Sequence, residues 1–301
     1  MMSYIVNCHK YLFSVDRGEG VMSNTGVKIT VICENSVAGP FGIVGEHGWS
    51  ALVETGDRVI LFDTGQGQGI VSNMLLLGKD FRDVDFIVLS HGHYDHTGGL
   101  PKALSITGRV PVYCHRDIFL ERWWVRGESR REIGIRYKRS WLESIGADFR
   151  FVSEFTEIAP GIFLTGEVPR KTAFEPPDQN MKVVNESGEL IQDDIRDDLS
   201  MVIDSEKGLI VVLGCAHAGL INILEYVHEM LPDRPFHAVV GGTHLGFAAM
   251  QQFEATLKAL DDFDVRILGA SHCTGLANSA RLYNRLGERF YFASAGSVLE
   301  V

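Results

Sequence analysis

The ten residues Ser90-His91-Gly92-His93-Tyr94-Asp95-His96-Thr97-Gly98-Gly99 constrain this chain more than any other stretch. They follow residues 85–89 (DFIVL), an almost wholly apolar run that predicts a strand buried on both faces. Such a strand delivers the polar residues at its end to one rim of a sheet. Alternate side chains of an extended segment, His91 and His93, converge on one ion, while Asp95 and His96 on the following turn face a second. Packing gives no reason to gather three histidines and an aspartate between glycines. Neutral imidazole is the commonest metal ligand, and clustering is its signature.

Two more predicted strands end in histidine. His217 lies in LGCAHAG after residues 209–213, and His272 in ASHCTG after residues 265–268. Small residues flank both, so each imidazole can reach a shared cleft. His244, in VVGGTHL, repeats the pattern and is read as substrate-facing, ligand-supporting or structural. The pairs Ala218-Gly219 and Thr274-Gly275 open predicted helices. Their backbone N–H groups either hold phosphate oxygens beside the metal or serve only a tight turn. Cys215 and Cys273 adjoin ligands and are read as metal ligands or as small buried side chains.

Around these motifs, residues 28–34, 50–54 and 58–62 read as strands, with a hairpin signal at 54–57. Residues 200–204 and 209–213 form a strand pair. Three strand-to-helix units follow, with strands at 209–213, 236–240 and 265–268 and helices at 219–230, 248–260 and 276–286. At 45% hydrophobic and 22% charged, the 301 residues suit one large α/β domain with insertions at about 116–150 and 170–198. Residues 117–146 read as helical, with Trp123, Trp124 and Trp141 packing inward, and residues 170–198 as a long acid-rich loop or hairpin.

Charge and composition exclude several partners. Lys and Arg number 28 against 39 acids, a net charge of -11 that argues against a nucleic-acid backbone binder. No run approaches the roughly 20 apolar residues of a membrane span, and the start lacks a basic region followed by an apolar one, so a cytoplasmic location is expected. Five cysteines, Cys8, Cys33, Cys114, Cys215 and Cys273, are odd in number and dispersed, which predicts reduced thiols. Residues 116–150 nevertheless carry nine basic and six acidic side chains. Arg126, Arg130, Arg131 and Arg139 in this segment belong either to a solvated face or to a lid that meets a small anionic, phosphorylated substrate.

With these residues in place, the chain resembles the metallo-β-lactamase superfamily. The resemblance rests on Phe62-Asp63-Thr64-Gly65 after a strand, on His91-x-His93-x-Asp95-His96, and on the late strand-end His272. It implies an αββα sandwich: two mixed sheets face to face, helices on both outer faces, and a metal centre at one edge. It also implies that His272 pairs with Asp95 and His96 at one ion and that Asp63 braces the ligand loop. The usual mid-chain histidine is absent at Leu164-Thr-Gly-Glu167, and Cys215 stands where the bridging aspartate is usual. His217 is expected to replace the missing ligand, with Cys215, Glu167 or Asp198 as further substitutes. These departures, with Asp197-Asp198-Leu-Ser and Gly241-Gly-Thr-His-Leu245, resemble the branch named for 7,8-dihydropterin-6-methyl-4-(β-D-ribofuranosyl)aminobenzene 5′-phosphate synthase.

That branch implies joining a ribofuranosylaminobenzene phosphate to a dihydropterin-methyl diphosphate, with loss of pyrophosphate. The expected ligand set is His91, His93, Asp95, His96, His217 and His272, holding one or two divalent ions, zinc first and manganese, iron or magnesium as alternatives. Asp95, His217 and His244 are the expected catalytic groups, and Gly219, Thr274 and Gly275 the expected phosphate holders. A hydrolase of a phosphodiester, thioester or lactone is the second reading. A non-catalytic metal- or pterin-binding protein is the third. Di-iron oxygen or nitric oxide reduction is disfavoured, because that chemistry uses a glutamate where His93 stands.

Overall fold

The computed structural model describes residues 26–39 and 42–301. Cys8 and the chain start lie outside them. The first half contains β1 (Lys28–Cys33), β2 (Ser50–Glu54), β3 (Val59–Phe62), α1 (Ile70–Leu76), β4 (Phe86–Val88), α2 (Tyr94–Thr97), α3 (Leu100–Thr107) and β5 (Val110–Cys114). Next come β6 (Arg122–Arg126), β7 (Ser129–Glu132), α4 (Arg139–Ser144), β8 (Ala147–Phe151), β9 (Thr156–Ala159) and β10 (Ile162–Leu164). The second half continues with β11 (Met181–Val184), β12 (Leu190–Gln192), β13 (Met201–Ser205), β14 (Gly208–Leu213), α5 (Leu220–Met230) and β15 (Phe236–Gly242). It closes with α6 (Met250–Asp262), β16 (Ile267–Ser271), α7 (Leu276–Leu286), β17 (Phe290–Phe292) and β18 (Val298–Glu300).

Two seven-stranded mixed sheets form the frame, in the orders β18-β1-β2-β3-β4-β5-β8 and β17-β16-β15-β14-β13-β10-β9. Their strands alternate between two apolar environments, which is why they read as continuous hydrophobic runs. On β14, Ile210 and Val212 enter the core between the sheets with Ile29, Val53 and Phe62. Leu209, Val211 and Leu213 face the other way, onto Leu224, Phe253 and Leu282 of the helices. Sheet one repeats the pattern, with Leu52, Leu61 and Ile87 packed under Ile70, Met74, Leu104 and Leu142. The result is the expected αββα sandwich. Among the described residues, no helix is long and apolar enough to cross a membrane.

The segment at 117–146 corrects the helical expectation. It contains the β6–β7 hairpin, and only a 3-10 turn at Arg116–Phe119 and α4 (Arg139–Ser144) are helical. The cause is a partner far away in sequence: β6 pairs with β11, in register Trp124↔Met181, so the two insertions build one four-stranded sheet, β12-β11-β6-β7. Nor do the tryptophans pack inward as expected. Trp123 and Trp124 are half-buried, because a small sheet laid over the sandwich edge has little core of its own, and Trp141, on α4, is 45% exposed.

One buried cation pins that sheet. Arg122, 1% exposed, donates from Nε to Asp193 (2.7 Å) and through both Nη atoms to Asp197 (2.9 and 2.6 Å). Asp197 also accepts the N–H of Gly92, between two expected metal ligands, at 2.8 Å. The backbone continues the tie, since Tyr94 N–H donates to Ile133 O and His93 forms an antiparallel bridge with Gly134. Removing one partner of a buried ion pair strands the other charge. Asp197→Ala is therefore expected to lower the free energy of urea unfolding by about 3–5 kcal/mol. A change below ~1 kcal/mol would show that Arg122 finds other compensation.

Candidate metal centre

β3, β4, β14 and β16 end at the same sandwich edge, and their following turns carry the candidate ligands. Asp63, just past β3, is fully buried and left-handed (φ +56°). Its Oδ1 accepts the Ser90 N–H at 2.7 Å, and its Oδ2 accepts from Ser90 Oγ and His96 Nδ1, both at 2.7 Å. Ser90 spends its only hydrogen on Asp63, so its oxygen accepts from His91 Nδ1 at 2.9 Å. One carboxylate thus fixes two imidazoles, leaving Nε2 of His91 and of His96 free to ligate. Gly214 completes the fit, because a Cβ there would collide with Ser90 Oγ.

Two ligand groups result. His91 Nε2 lies 2.9 Å from His93 Nδ1, and the His217 ring centroid is 4.8 and 4.9 Å from those of His91 and His93. Behind His217, Asp198 Oδ2 accepts the Ala218 N–H at 2.8 Å and holds the turn. On the other side, His96 Nε2 is 3.1 Å from Cys215 Sγ, and His272 Nε2 is 3.3 Å from Asp95 Oδ2. The donor atoms of His91, Cys215 and His217 lie within 4.8 Å of one another, as do those of His96, Cys215 and His272. Cys215 belongs to both groups and so stands between them.

The donor set fits a divalent ion. His217 Nε2 is buried without a hydrogen-bond partner among the described residues, an arrangement that costs free energy unless something accepts its lone pair. Burial and neighbouring imidazoles push His91 and His217 well below the usual histidine pKa; burial brings His93 down to about 3. All three are neutral at pH 7, as metal ligation requires. Burial also opposes charge on His96, but the Asp63 carboxylate outweighs it and raises that imidazole. Burial works against the Asp95 carboxylate, yet the facing His272 and His47 imidazoles hold it well below its ordinary range.

The remaining expected site residues separate. Glu167 is turned away, 3.2 Å from His115 Nε2 and half-exposed. Thr274 is fully buried, its hydroxyl 2.9 Å from that of Thr243. The α5 corner at Gly219 is already filled, because Glu175 accepts the N–H groups of Ile221 and Asn222 at 2.9 Å each. A phosphate there would meet a carboxylate. Gly275 does line the open cavity above the ligands. His244 lines it too, left-handed at φ +56°, with both ring nitrogens buried and unpartnered among the described residues.

That cavity measures about 640 Å³. Sequence reasoning missed His47, whose Nε2 is 3.1 Å from Asp95 Oδ2, and Asn35, whose Oδ1 receives His272 Nδ1 at 2.9 Å. Both stand in an irregular loop with no periodicity to mark them. Of the four arginines singled out, Arg130 and Arg131 line the cavity with Trp124, Met181 and Phe247. Arg139 instead pairs with Glu143 at 2.7 Å.

The family model described as the metallo-beta-lactamase superfamily matches residues 43–193. The 7,8-dihydropterin-6-methyl-4-(β-D-ribofuranosyl)-aminobenzene-5′-phosphate synthase of Methanocaldococcus jannaschii is 29% identical over 283 residues, covering 91% of this chain and 96% of that protein. An uncharacterized protein of the same organism is also 29% identical, over 276 residues, 91% of this chain and 100% of its own length. The crystal structure of a protein described as a metal-dependent hydrolase of the β-lactamase superfamily superposes with a TM-score of 0.79 at 29% identity, covering 91% of this chain and 99% of that one.

Two outcomes are expected. Asp63→Ala touches no ligand position directly, yet should weaken zinc binding about 10–100-fold in a chelator competition, because two ligand imidazoles lose their orientation. Equal affinity would remove Asp63 from the centre. Glu175, raised to about 7 chiefly by burial, binds its proton more tightly folded than unfolded. Its contribution is full below its unfolded pKa of about 4.5 and is lost as pH rises through about 7. Stability of the parent relative to Glu175→Gln should therefore fall by up to about 3 kcal/mol across that window; a pH-independent difference would contradict the assignment.

Proposed function

The chain belongs to the metallo-β-lactamase superfamily, and from that premise we propose that it is a metal-dependent enzyme that transfers a pterin-methyl group from its diphosphate to a phosphorylated aryl-ribose amine. The observation that carries this reading is the cavity. At about 640 Å³ it has room for two reactants above the ligand cluster, with Trp124, Met181 and Phe247 as apolar walls and Arg130 and Arg131 at its rim. Flat ring systems suit such walls, and guanidinium groups suit phosphate. The full-length likeness to the synthase supports the same substrate pair.

His91, His93 and His217 would hold one divalent ion, and Asp95, His96 and His272 a second, with Cys215 between them. Bound there, the metal supplies Lewis-acid stabilisation of negative charge on the departing diphosphate. The reaction forms a bond from the arylamine nitrogen to the pterin methylene carbon and breaks the bond from that carbon to the diphosphate oxygen, and the amine loses one proton. Arg130 and Arg131 bind the phosphate groups. The apolar walls exclude water, which would otherwise compete as nucleophile. His244 sits beside His217 (ring centroids 4.4 Å apart) with its nitrogens unpartnered, in position to take the proton from the amine.

A second reading, hydrolysis, is favoured by the structural neighbour, which is described as a metal-dependent hydrolase. Both are tested by giving zinc-loaded protein a dihydropterin-methyl diphosphate with and without the aryl-ribose phosphate. Transfer predicts the coupled product and one pyrophosphate, with little turnover when the amine is omitted. Release of hydroxymethyl-dihydropterin at the same rate in both mixtures would overturn it in favour of hydrolysis. In either case, Arg130→Glu with Arg131→Glu should raise KM roughly tenfold at low ionic strength and less in high salt. Arg139→Glu, outside the cavity, should leave KM unchanged.

A further inference from the structure

The loop that follows β1 holds the outer half of the centre, and its arrangement rests on one amide. Asn35 Oδ1 accepts from His272 Nδ1 at 2.9 Å and from the Gly48 N–H at 3.3 Å. With the oxygen so committed, the Asn35 NH2 faces His47 Nδ1 at 3.5 Å. An NH2 group only donates, so His47 Nδ1 is an acceptor and its proton sits on Nε2. That N–H points at Asp95 Oδ2, 3.1 Å away, the oxygen that also faces His272 Nε2 at 3.3 Å.

We propose that Asn35 is a positioning residue that sorts two neighbouring histidines into opposite tautomers, making His272 an Nε2 ligand and His47 an Nε2–H donor that orients the Asp95 carboxylate. The inference rests on the reading that Asp95 and His272 hold a metal ion, and adds what decides their geometry. His47 has a side chain 55% exposed, and exposure alone would leave it free to wander. The loop prevents this on both sides. Glu46 is buried and accepts the N–H groups of Gly67, Gln68 and Gly69 at 3.2, 2.5 and 3.0 Å. Gly48, at φ +150°, lies so close to the Asp95 carbonyl oxygen that a Cβ would collide with it, and Trp49 N–H donates to that same oxygen at 3.2 Å. His47 is thus fixed against Asp95 by its chain neighbours.

Carboxylate ligands held by hydrogen bonds, and imidazole ligands held in one tautomer, typically lose 10–100-fold in metal affinity when the supporting group is removed. The substitutions Asn35→Ala and Asn35→Asp separate the two halves of the proposal. The aspartate still accepts from His272 Nδ1 but can no longer donate to His47. The experiment is 15N NMR of histidine-labelled protein, which distinguishes protonated from bare ring nitrogens, with zinc affinity measured by chelator competition. The parent should show Nδ1–H on His272 and Nε2–H on His47. Asn35→Asp should keep the His272 tautomer and place a proton on His47 Nδ1, which is bare in the parent. Asn35→Ala should lower the affinity for the outer zinc at least tenfold, with unchanged circular dichroism.

A His47 proton on Nδ1 in the parent, or an Asn35→Ala variant with parental zinc affinity, would overturn the proposal while leaving the metal centre standing. Failure of the parent itself to bind zinc would instead remove the reading on which it rests. Should Asn35→Ala fail to fold, the near-isosteric Asn35→Asp spectrum still decides the point.

Discussion

The buried carboxylate of Asp63 is the constraint on which the edge of the sandwich depends. It receives three hydrogen bonds, two from Ser90 and one from His96, and through the Ser90 hydroxyl it also sets His91. A fully buried carboxylate is costly unless its oxygens are satisfied, and here the groups that satisfy it belong to the ligand turn. The same hydrogen bonds therefore satisfy the buried carboxylate and orient the imidazoles. The left-handed backbone at Asp63 puts the side chain there directly after β3.

Outside this brace, the centre is shaped by segments that meet only in three dimensions. The four-stranded sheet is tied to the ligand turn by Arg122 and Asp197, so the wall that carries Trp124, Arg130 and Arg131 is held to the turn that carries His91 and His93. On the opposite side, Asn35, His47 and Glu34 come from the loop after β1, with Glu34 accepting the His272 N–H at 2.6 Å.

What the sequence disclosed follows from local physics. Strands buried on both faces are apolar throughout, so residues 85–89 and 209–213 stood out, and the histidines beyond them marked the rim. The superfamily resemblance placed Asp63 correctly as the brace, and the structure brings Cys215 in among the imidazoles while Glu167 faces away. The hairpin at β6–β7 was not legible, because its pairing partner β11 lies more than fifty residues on and its charged pattern suits a wet helix equally well. Arg122 is indistinguishable in sequence from its solvated neighbours. Nothing in the spacing of Asn35 or His47 marks them, since their roles arise where Gly48 brings the loop against Asp95.

Four strand ends assemble one candidate metal centre with Cys215 between its two halves, and anomalous diffraction at the zinc edge, from crystals grown with zinc, tests this most directly. A peak is expected about 2.0–2.3 Å from His91 Nε2, His93 Nδ1 and His217 Nε2, and within the same reach of Cys215 Sγ. An anomalous map that is empty at that edge of the sandwich, or zinc that sits away from these donors, would contradict the assignment.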